Sequence, residues 1–231
     1  MPKALFQLQI PRLNLVKIIS YFIIIFLTPT LILLNYRYLV FNHNFYKSEF
    51  ARLNIYQQFA SRQAVDTQST NLIKYFCCAQ TLDKDFYTQK EISHLADVKN
   101  LILLTNTLMV FFSIVLLVTT LFLIIKKQLK TLFKTYQLSS LATLVIIFVL
   151  YLSSKLNFSF IFINFHYLTF RNDYWLLSQD SNLLKLFPQQ FFVDFTNRLA
   201  FNTIISALAI LIISTILILI QHKKLPPKSK T

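Results

Sequence analysis

Four long windows without a charged residue constrain the fold of this chain more than any other feature of its sequence. Residues 18–36, 100–125, 135–154 and 199–221 contain no Asp, Glu, Lys or Arg. A helix of roughly 20 residues crosses about 30 Å of hydrocarbon, and each window approaches or exceeds that length. The sequence therefore predicts an all-α polytopic membrane protein with four transmembrane helices.

The distribution of charge predicts the orientation of these helices. Four spans place both termini on one side of the membrane. The segments 1–17, 126–134 and 222–231 hold three, four and four basic residues and no acid, a pattern typical of cytoplasmic segments. All nine acidic residues lie in the two other connecting segments. We therefore predict a multi-pass protein of the plasma membrane with cytoplasmic termini and an extracellular cap formed by those two segments.

The apolar windows and the charge pattern together set the predicted boundaries. We expect transmembrane helices at residues 18–40, 100–125, 135–162 and 199–221, and extracellular segments at residues 41–99 and 163–198. The outer end of the third helix is left open. The apolar run from Leu156 to Phe165 could extend that helix or lie in the membrane interface.

The composition argues against two classes of function. The net charge of +14 would suit a nucleic-acid-binding protein, but the cytoplasmic segments account for much of the excess. The chain has no glycine. It therefore lacks the glycine-rich loops with which many proteins cradle nucleotide phosphates.

The only two cysteines, Cys77 and Cys78, are adjacent. Neighbouring cysteines seldom meet the geometry of a disulfide, and no further cysteine completes a metal site. We expect them to be two small apolar side chains packed in the cap.

A first polar cluster precedes the second span. Glu91, His94 and Asp97 are spaced three residues apart on a helix expected to begin near Lys90 and to continue into the membrane. Each carboxylate could therefore reach the imidazole from an adjacent turn. The alternative is a solvated polar rim at a helix end, and spacing alone favours that alternative.

A second cluster follows the third span. His166, Arg171 and Asp173 are interleaved with aromatic residues. A belt of aromatic side chains at the lipid headgroups explains some of these rings, but it does not explain the interleaving. An apolar pocket with a few convergent polar groups requires such a mixture.

The order of four short motifs resembles the lipoprotein intramolecular transacylase family of Gram-positive bacteria. The motifs are Glu91-x-x-His94-x-x-Asp97-Val98-Lys99, Phe165-His166, Asn172-Asp173-x-Trp175 and Phe187-Pro188-x-x-Phe191-Phe192. The first motif stands before the second span, the second and third motifs follow the third span, and the fourth motif stands before the fourth span. With four spans and two outer segments, the resemblance covers nearly the whole chain.

The resemblance implies an acyl transfer within one substrate molecule. The family acts on lipoproteins whose N-terminal cysteine carries a diacylglyceryl group and a free α-amine. The acyl chain at the sn-2 position moves to that amine, which gives a lyso-form lipoprotein. The expected partners are this lipoprotein and membrane lipids. No metal or other cofactor is expected, because the nucleophile belongs to the substrate.

The resemblance also implies which residues carry the chemistry. His94 and His166 are the expected catalytic pair at the outer leaflet, because removing a proton from an amine needs a base poised near neutral pH. Which of them is the base stays open. The expected supporting residues are Glu91, Asp97, Lys99, Arg171, Asn172 and Asp173. The expected aromatic residues of the pocket are Phe165, Tyr167, Phe170, Tyr174 and Trp175.

Two other functions fit the same residues. A metal-dependent membrane hydrolase could use His94, His166 and outer carboxylates as ligands, and chelators would then abolish its activity. A non-enzymatic membrane scaffold could use the extracellular cap to bind a partner. In that case, replacing the histidines would leave its function intact.

Overall fold

The computed structural model describes residues 15–223 and is helical, with turns and irregular loops between the helices. The helices are α1 (Leu15–Val40), α2 (His43–Arg52), a short 3-10 helix (Ile55–Gln58), α3 (Arg62–Cys77), α4 (Gln89–Ile125), α5 (Leu129–Leu156), α6 (Phe158–Thr169), α7 (Asn182–Leu186) and α8 (Gln189–Lys223). Of these, α1, α4, α5 and α8 are long and apolar enough to cross a membrane. The all-helical fold with four spans is therefore confirmed. Most of the predicted cytoplasmic segments 1–17 and 222–231 lie outside the described residues.

The four long helices pack through small polar side chains as well as apolar ones. Thr28 and Thr143 share a buried hydrogen bond of 2.9 Å between α1 and α5, and the Ser139 hydroxyl bonds back to the Thr135 carbonyl. Small residues let membrane helices approach closely. Serine and threonine serve this purpose in a chain that has no glycine.

Three side-chain hydrogen bonds fix the relative heights of the long helices. They join Asn35 to Ser206 at 3.2 Å, Arg37 to Asn106 at 2.9 Å, and Gln137 to Thr215 at 3.0 Å. Counting along the helices from these bonds places Lys99, Lys155 and Arg198 at nearly one height. Lys126 and Lys223 lie roughly 25 residues of helix below them, about 40 Å at 1.5 Å per residue. That separation is more than enough to cross the roughly 30 Å of hydrocarbon.

The connections between α1 and α4 and between α6 and α8 fold together at one end of the bundle, and we call this unit the cap. Its core contains Phe45 and Phe50 from the first connection and Phe187 and Phe191 from around the start of α8. The Phe45 and Phe191 rings lie 5.7 Å apart, and the Phe50 and Phe187 rings 5.8 Å apart. Aromatic packing of this kind ties the two connections into one core.

The helix boundaries differ from the prediction by more than three residues at both ends of α5 and at the start of α8. Helix α5 begins at Leu129, six residues before the predicted span. Helix α5 ends at Leu156 and not at residue 162, because the Asn157 side chain accepts a hydrogen bond from the Phe160 backbone N–H and starts a new helix. Helix α8 begins at Gln189, ten residues before the predicted span. The apolar windows mark the parts of the helices that suit the hydrocarbon of a membrane, and they do not register polar turns by which a helix continues beyond them. The expected start of α4 near Lys90 is confirmed.

The expectation for the cysteines is wrong. Cys77 and Cys78 are exposed, and their sulfurs are bonded to each other. Helix α3 ends at Cys77, and Cys78 is extended, with φ −136° and ψ −177°. The pair therefore lies at the exposed C-terminal end of α3 and not in the core of the cap.

We predict that the cap faces the outside of the cell. Gln179 in the cap and Gln128 in the turn between α4 and α5 are both exposed. In a background with Cys77→Ser and Cys78→Ser, the variant Gln179→Cys should react with a membrane-impermeant maleimide in intact cells, because the basic segments without acids at the other end of the bundle stay in the cytoplasm. The variant Gln128→Cys should react only after the cells are permeabilised. Reaction at position 128 in intact cells would contradict this orientation.

Candidate active site

Two histidines from different connections meet at the cap end of the bundle. His94 lies on the second turn of α4, and His166 lies on α6. Their ring centroids are 6.0 Å apart, with the ring planes inclined by 32°. Each residue is only 9% exposed. The structure therefore brings together two side chains that are far apart in the sequence.

A backbone hydrogen bond fixes the tautomer of His166. Its Nδ1 lies 2.7 Å from the carbonyl oxygen of Phe162, one helical turn earlier. A carbonyl oxygen can only accept a hydrogen bond, so Nδ1 carries the proton. In the neutral ring, Nε2 then has the lone pair and is free to accept a proton.

Aromatic rings surround the His166 side chain. The centroids of Phe162, Trp175, Phe165 and Phe170 lie 4.5, 5.0, 5.6 and 5.6 Å from the imidazole centroid. Four rings at these distances give the imidazole an apolar setting. Three of them belong to the predicted pocket, and Phe162 does not.

The remaining two predicted pocket residues lie further out. Tyr167 packs edge-on against Trp175, with ring centroids 4.9 Å apart, and is itself mostly exposed. Tyr174 is 46% exposed, and its backbone N–H is held by the Asn172 side chain. Both tyrosines therefore belong to the rim of the site.

The surroundings of His94 are also apolar. The ring of Phe170 stands edge-on to the imidazole, with centroids 5.2 Å apart, so Phe170 contacts both histidines. The Nδ1 atom of His94 is buried and has no hydrogen-bond partner among the described residues. Buried polar atoms are usually paired. A polar group of a bound substrate could supply the partner for this atom.

Burial keeps both imidazoles neutral at pH 7. Desolvation is the main cause that lowers the pKa of His94; the neighbouring His166 lowers it further and Asp97 opposes the shift. Desolvation also lowers the pKa of His166, against the opposing effect of its bond to Phe162. Both residues lie outside the four charge-free windows. A neutral imidazole can accept a proton at one ring nitrogen and donate a hydrogen bond from the other.

Glu91 forms hydrogen bonds within the cap and none with His94. One carboxylate oxygen accepts from the backbone N–H and the hydroxyl of Thr88, at 2.6 and 2.9 Å, and so caps α4. The other accepts from the Ser181 hydroxyl and from the Leu183 N–H at 2.8 Å, where α7 begins. Although burial alone raises the pKa of Glu91, these hydrogen bonds lower it. The fully buried carboxylate therefore joins α4 to α7.

Asp97 joins α4 to the same second connection. Its carboxylate accepts a hydrogen bond of 2.9 Å from the Asn172 side chain. The side-chain oxygen Oδ1 of Asn172 in turn accepts a hydrogen bond of 3.1 Å from the Tyr174 backbone N–H. This pair holds the loop that carries Phe170 and Trp175 against the two histidines.

The other predicted supporting residues do not contact the imidazoles through hydrogen bonds. Lys99 lies over the Tyr75 ring at 4.2 Å and donates to the Cys78 carbonyl at 3.4 Å. Arg171 and Asp173 are exposed. Asp173 is therefore not placed to orient His166, and Lys99 helps to hold the end of α3.

Sequence reasoning missed three contributors to the site. Phe162 supplies both the nearest ring and the carbonyl that fixes the tautomer of His166. Its position four residues before His166 on a helix was the available signal. Ser181 and Leu183 hold Glu91, and nothing in their local sequence indicates that long-range contact.

The part of the chain that the structure describes holds no ligand set for the metal-dependent alternative. Within residues 15–223, no group of three or more His, Cys, Asp or Glu side chains is arranged to hold a metal ion. The carboxylates nearest to His94 along α4, Glu91 and Asp97, are engaged with Ser181, Leu183 and Asn172.

We predict that Glu91→Ala destabilises the cap. The substitution leaves the buried Leu183 N–H and the Thr88 N–H without their acceptor, which should lower the free energy of unfolding by about 3 kcal/mol. Thermal unfolding of the detergent-purified protein measures this loss. Glu91→Gln should be milder because its amide keeps one acceptor oxygen. The exposed Asp180→Ala is the control, and equal stability of Glu91→Ala and Asp180→Ala would contradict the role of Glu91.

The fold is similar to solved structures of a bacterial membrane protein. The in meso structure of the membrane-integral lipoprotein intramolecular transacylase Lit from Bacillus cereus aligns with a TM-score of 0.82 at 19% identity, over 91% of this chain and 99% of that chain. Two further structures of the Bacillus cereus protein, with a histidine replaced by alanine or by arginine, align with a TM-score of 0.79 at 18% identity. They cover 91% of this chain and 96% and 95% of theirs. At these identities the likeness shows a shared fold.

Family membership rests on the sequence. No curated protein matches this chain. The model of the family described as lipoprotein intramolecular transacylase Lit matches residues 19–192. That range covers most of the chain and contains both histidines, so the resemblance inferred from the motifs is confirmed. The chain belongs to the lipoprotein intramolecular transacylase family and is a membrane-integral acyltransferase.

Proposed function

We propose that this protein moves the sn-2 acyl chain of a lipoprotein's diacylglyceryl group to the α-amine of the N-terminal cysteine of the same lipoprotein. The product is the lyso-form lipoprotein. The observation that carries this proposal is the pair of buried, neutral histidines with ring centroids 6.0 Å apart. Two imidazoles at this separation can contact one ester at the same time.

His166 is the general base in this proposal. An α-amine with a pKa near ~8 is mostly protonated at neutral pH and must lose a proton before it attacks an ester. That first proton leaves to solvent, and the free amine attacks the ester. As the new N–C bond forms, the nitrogen must lose a second proton, and the Nε2 atom of His166 can accept it because Nδ1 donates to the Phe162 carbonyl. As the ester C–O bond breaks, His166 passes this second proton to the glyceryl oxygen. The histidine ends the reaction neutral.

His94 stabilises the charge that develops on the ester carbonyl oxygen. A neutral imidazole carries one N–H that can donate a hydrogen bond to this oxygen. Such a donor is most effective in a site with little water. Burial of His94 beside Phe170 provides that setting.

The aromatic walls hold the substrate and exclude water. An intramolecular transfer requires the amine and the ester carbon to approach within about 3 to 3.5 Å. Water at the same position would hydrolyse the ester and release a fatty acid. Phe165, Phe170 and Trp175 surround His166 at ring-centroid distances of 5.0 to 5.6 Å, and this favours transfer over hydrolysis.

The proposal places the reaction at the outer leaflet of the plasma membrane, with both termini cytoplasmic. His94 stands five residues before Lys99, one of the three cations at the cap end of the bundle. Five residues of helix correspond to about 8 Å, so His94 lies within about one headgroup depth of these cations. A diacylglyceryl group anchored in the leaflet carries its esters next to the headgroup region.

We expect His94→Ala and His166→Ala each to lower lyso-lipoprotein formation by at least about 100-fold, because each removes a group that acts on the reacting atoms. The double variant should be scarcely worse than either single variant, since groups that act as one unit are non-additive. Mass spectrometry of lipoprotein N-terminal peptides measures the product. His43→Ala is the matched control and should be close to neutral. Near-normal product from His94→Ala would contradict the two-histidine assignment.

The pH dependence follows from the lowered pKa values of both histidines. A histidine whose pKa is lowered stays neutral below the ordinary value of about 6.5. The turnover rate should fall about tenfold per pH unit below about pH 8, because the substrate amine becomes protonated. The decline should therefore steepen only below about pH 6.5, when His166 also becomes protonated. Purified enzyme in detergent with a diacylglyceryl lipopeptide provides the profile. A second inflection at or above 6.5 would contradict this account, and inhibition by a chelator that zinc reverses would favour the hydrolase.

A further inference from the structure

Helix α6 leaves most of its apolar surface uncovered. His166 is its only buried residue. Phe160, Tyr167 and Leu168 are 63%, 64% and 88% exposed, and the helix contains no charged residue. A contiguous apolar face of this kind on a folded protein marks an interaction surface.

Contacts with α8 and α4 place α6 close to the headgroup region. The Ser159 hydroxyl accepts a bond of 2.7 Å from Gln189, and the Phe162 ring lies 5.1 Å from Phe192. Phe192 stands six residues before Arg198, about 9 Å above the cations at the cap end. The far end of α6 carries His166 to His94, which lies at a similar height. The helix axis therefore runs roughly along the membrane plane.

The uncovered face of α6 continues the lipid-facing surface of α5. Phe148, Val149 and Leu156 of α5 are 62%, 55% and 86% exposed, and α6 begins two residues after Leu156. Surface that is apolar and uncovered on a spanning helix faces acyl chains. The chain is continuous here, and the exposed polar residues at the junction are Ser153, Lys155 and Asn157.

Positive charges flank the helix. Lys155 precedes α6 and Arg171 follows it, and both are exposed. An apolar helix bordered by cations suits a leaflet that contains anionic lipids, since the cations can pair with phosphates while the rings enter the acyl region.

We propose that α6 is an interfacial helix whose uncovered face, which includes Phe160, Tyr167 and Leu168, lies among the lipids of the leaflet at the cap end. His166 then projects from the opposite side of this helix into the protein. One consequence, which rests on the proposed function, is that a lipid-borne ester reaches the histidines sideways from the leaflet. It does not need to pass through water.

The test is the accessibility of a nitroxide label on the full-length protein in vesicles of phosphatidylcholine and phosphatidylglycerol. The label is attached to Leu168→Cys in a background with Cys77→Ser and Cys78→Ser. Leu168 is 88% exposed, so the label should not disturb packing. Matched controls are Val149→Cys on the lipid-facing side of α5 and Gln179→Cys in the exposed loop of the cap.

The label at position 168 should resemble the one at 149, with a collision rate that is several-fold higher with oxygen than with a water-soluble nickel chelate. A ratio like that at position 179 would overturn the proposal by showing that the face is open to water. Low collision with both reagents together with spin–spin broadening would also overturn it, because a second copy of the chain would then cover the face. The readout does not depend on activity, so it remains decisive if the proposed function fails.

Discussion

The fully buried carboxylate of Glu91 is the contact on which the geometry of the site depends. Its four hydrogen bonds cap the start of α4 and anchor the start of α7. Six residues later, Asp97 holds Asn172 from the same second connection. His94 lies between these two carboxylates on the helix. The flanking acids therefore dock the segment that completes the pocket, and the central imidazole is left available for chemistry.

Much of the fold could be predicted because membrane helices leave strong one-dimensional signals. Charge-free windows located all four spans. The start of α4 was expected near Lys90, in the polar segment before the second window, and the helix begins at Gln89. The break at Asn157 could not be predicted, because the residues around it do not show whether this asparagine caps a new helix or lies within a continuing one. The bond between Cys77 and Cys78 was missed because average disulfide geometry argues against adjacent partners.

The sequence singled out the two histidines of the candidate site, but it did not indicate the hydrogen-bond partners of the residues around them. The motifs singled out His94 and His166, and the structure places their rings 6.0 Å apart. Spacing suggested that Glu91 and Asp97 orient His94, whereas their partners are Ser181, Leu183 and Asn172. Helical spacing shows which neighbours a side chain can reach. It does not show a competing partner roughly 75 to 90 residues away.

The central claim is that the histidine pair moves an acyl chain within one molecule, and a crossover experiment tests it most directly. Purified protein is given an equimolar mixture of two diacylglyceryl lipopeptides that differ in both peptide mass and acyl mass. Mass spectrometry then reads which acyl chain is attached to which N-terminal cysteine. The account predicts that each peptide carries its own acyl chain on the amine, with no crossed product above background. Crossed products, or free fatty acid in place of N-acylated peptide, would contradict it.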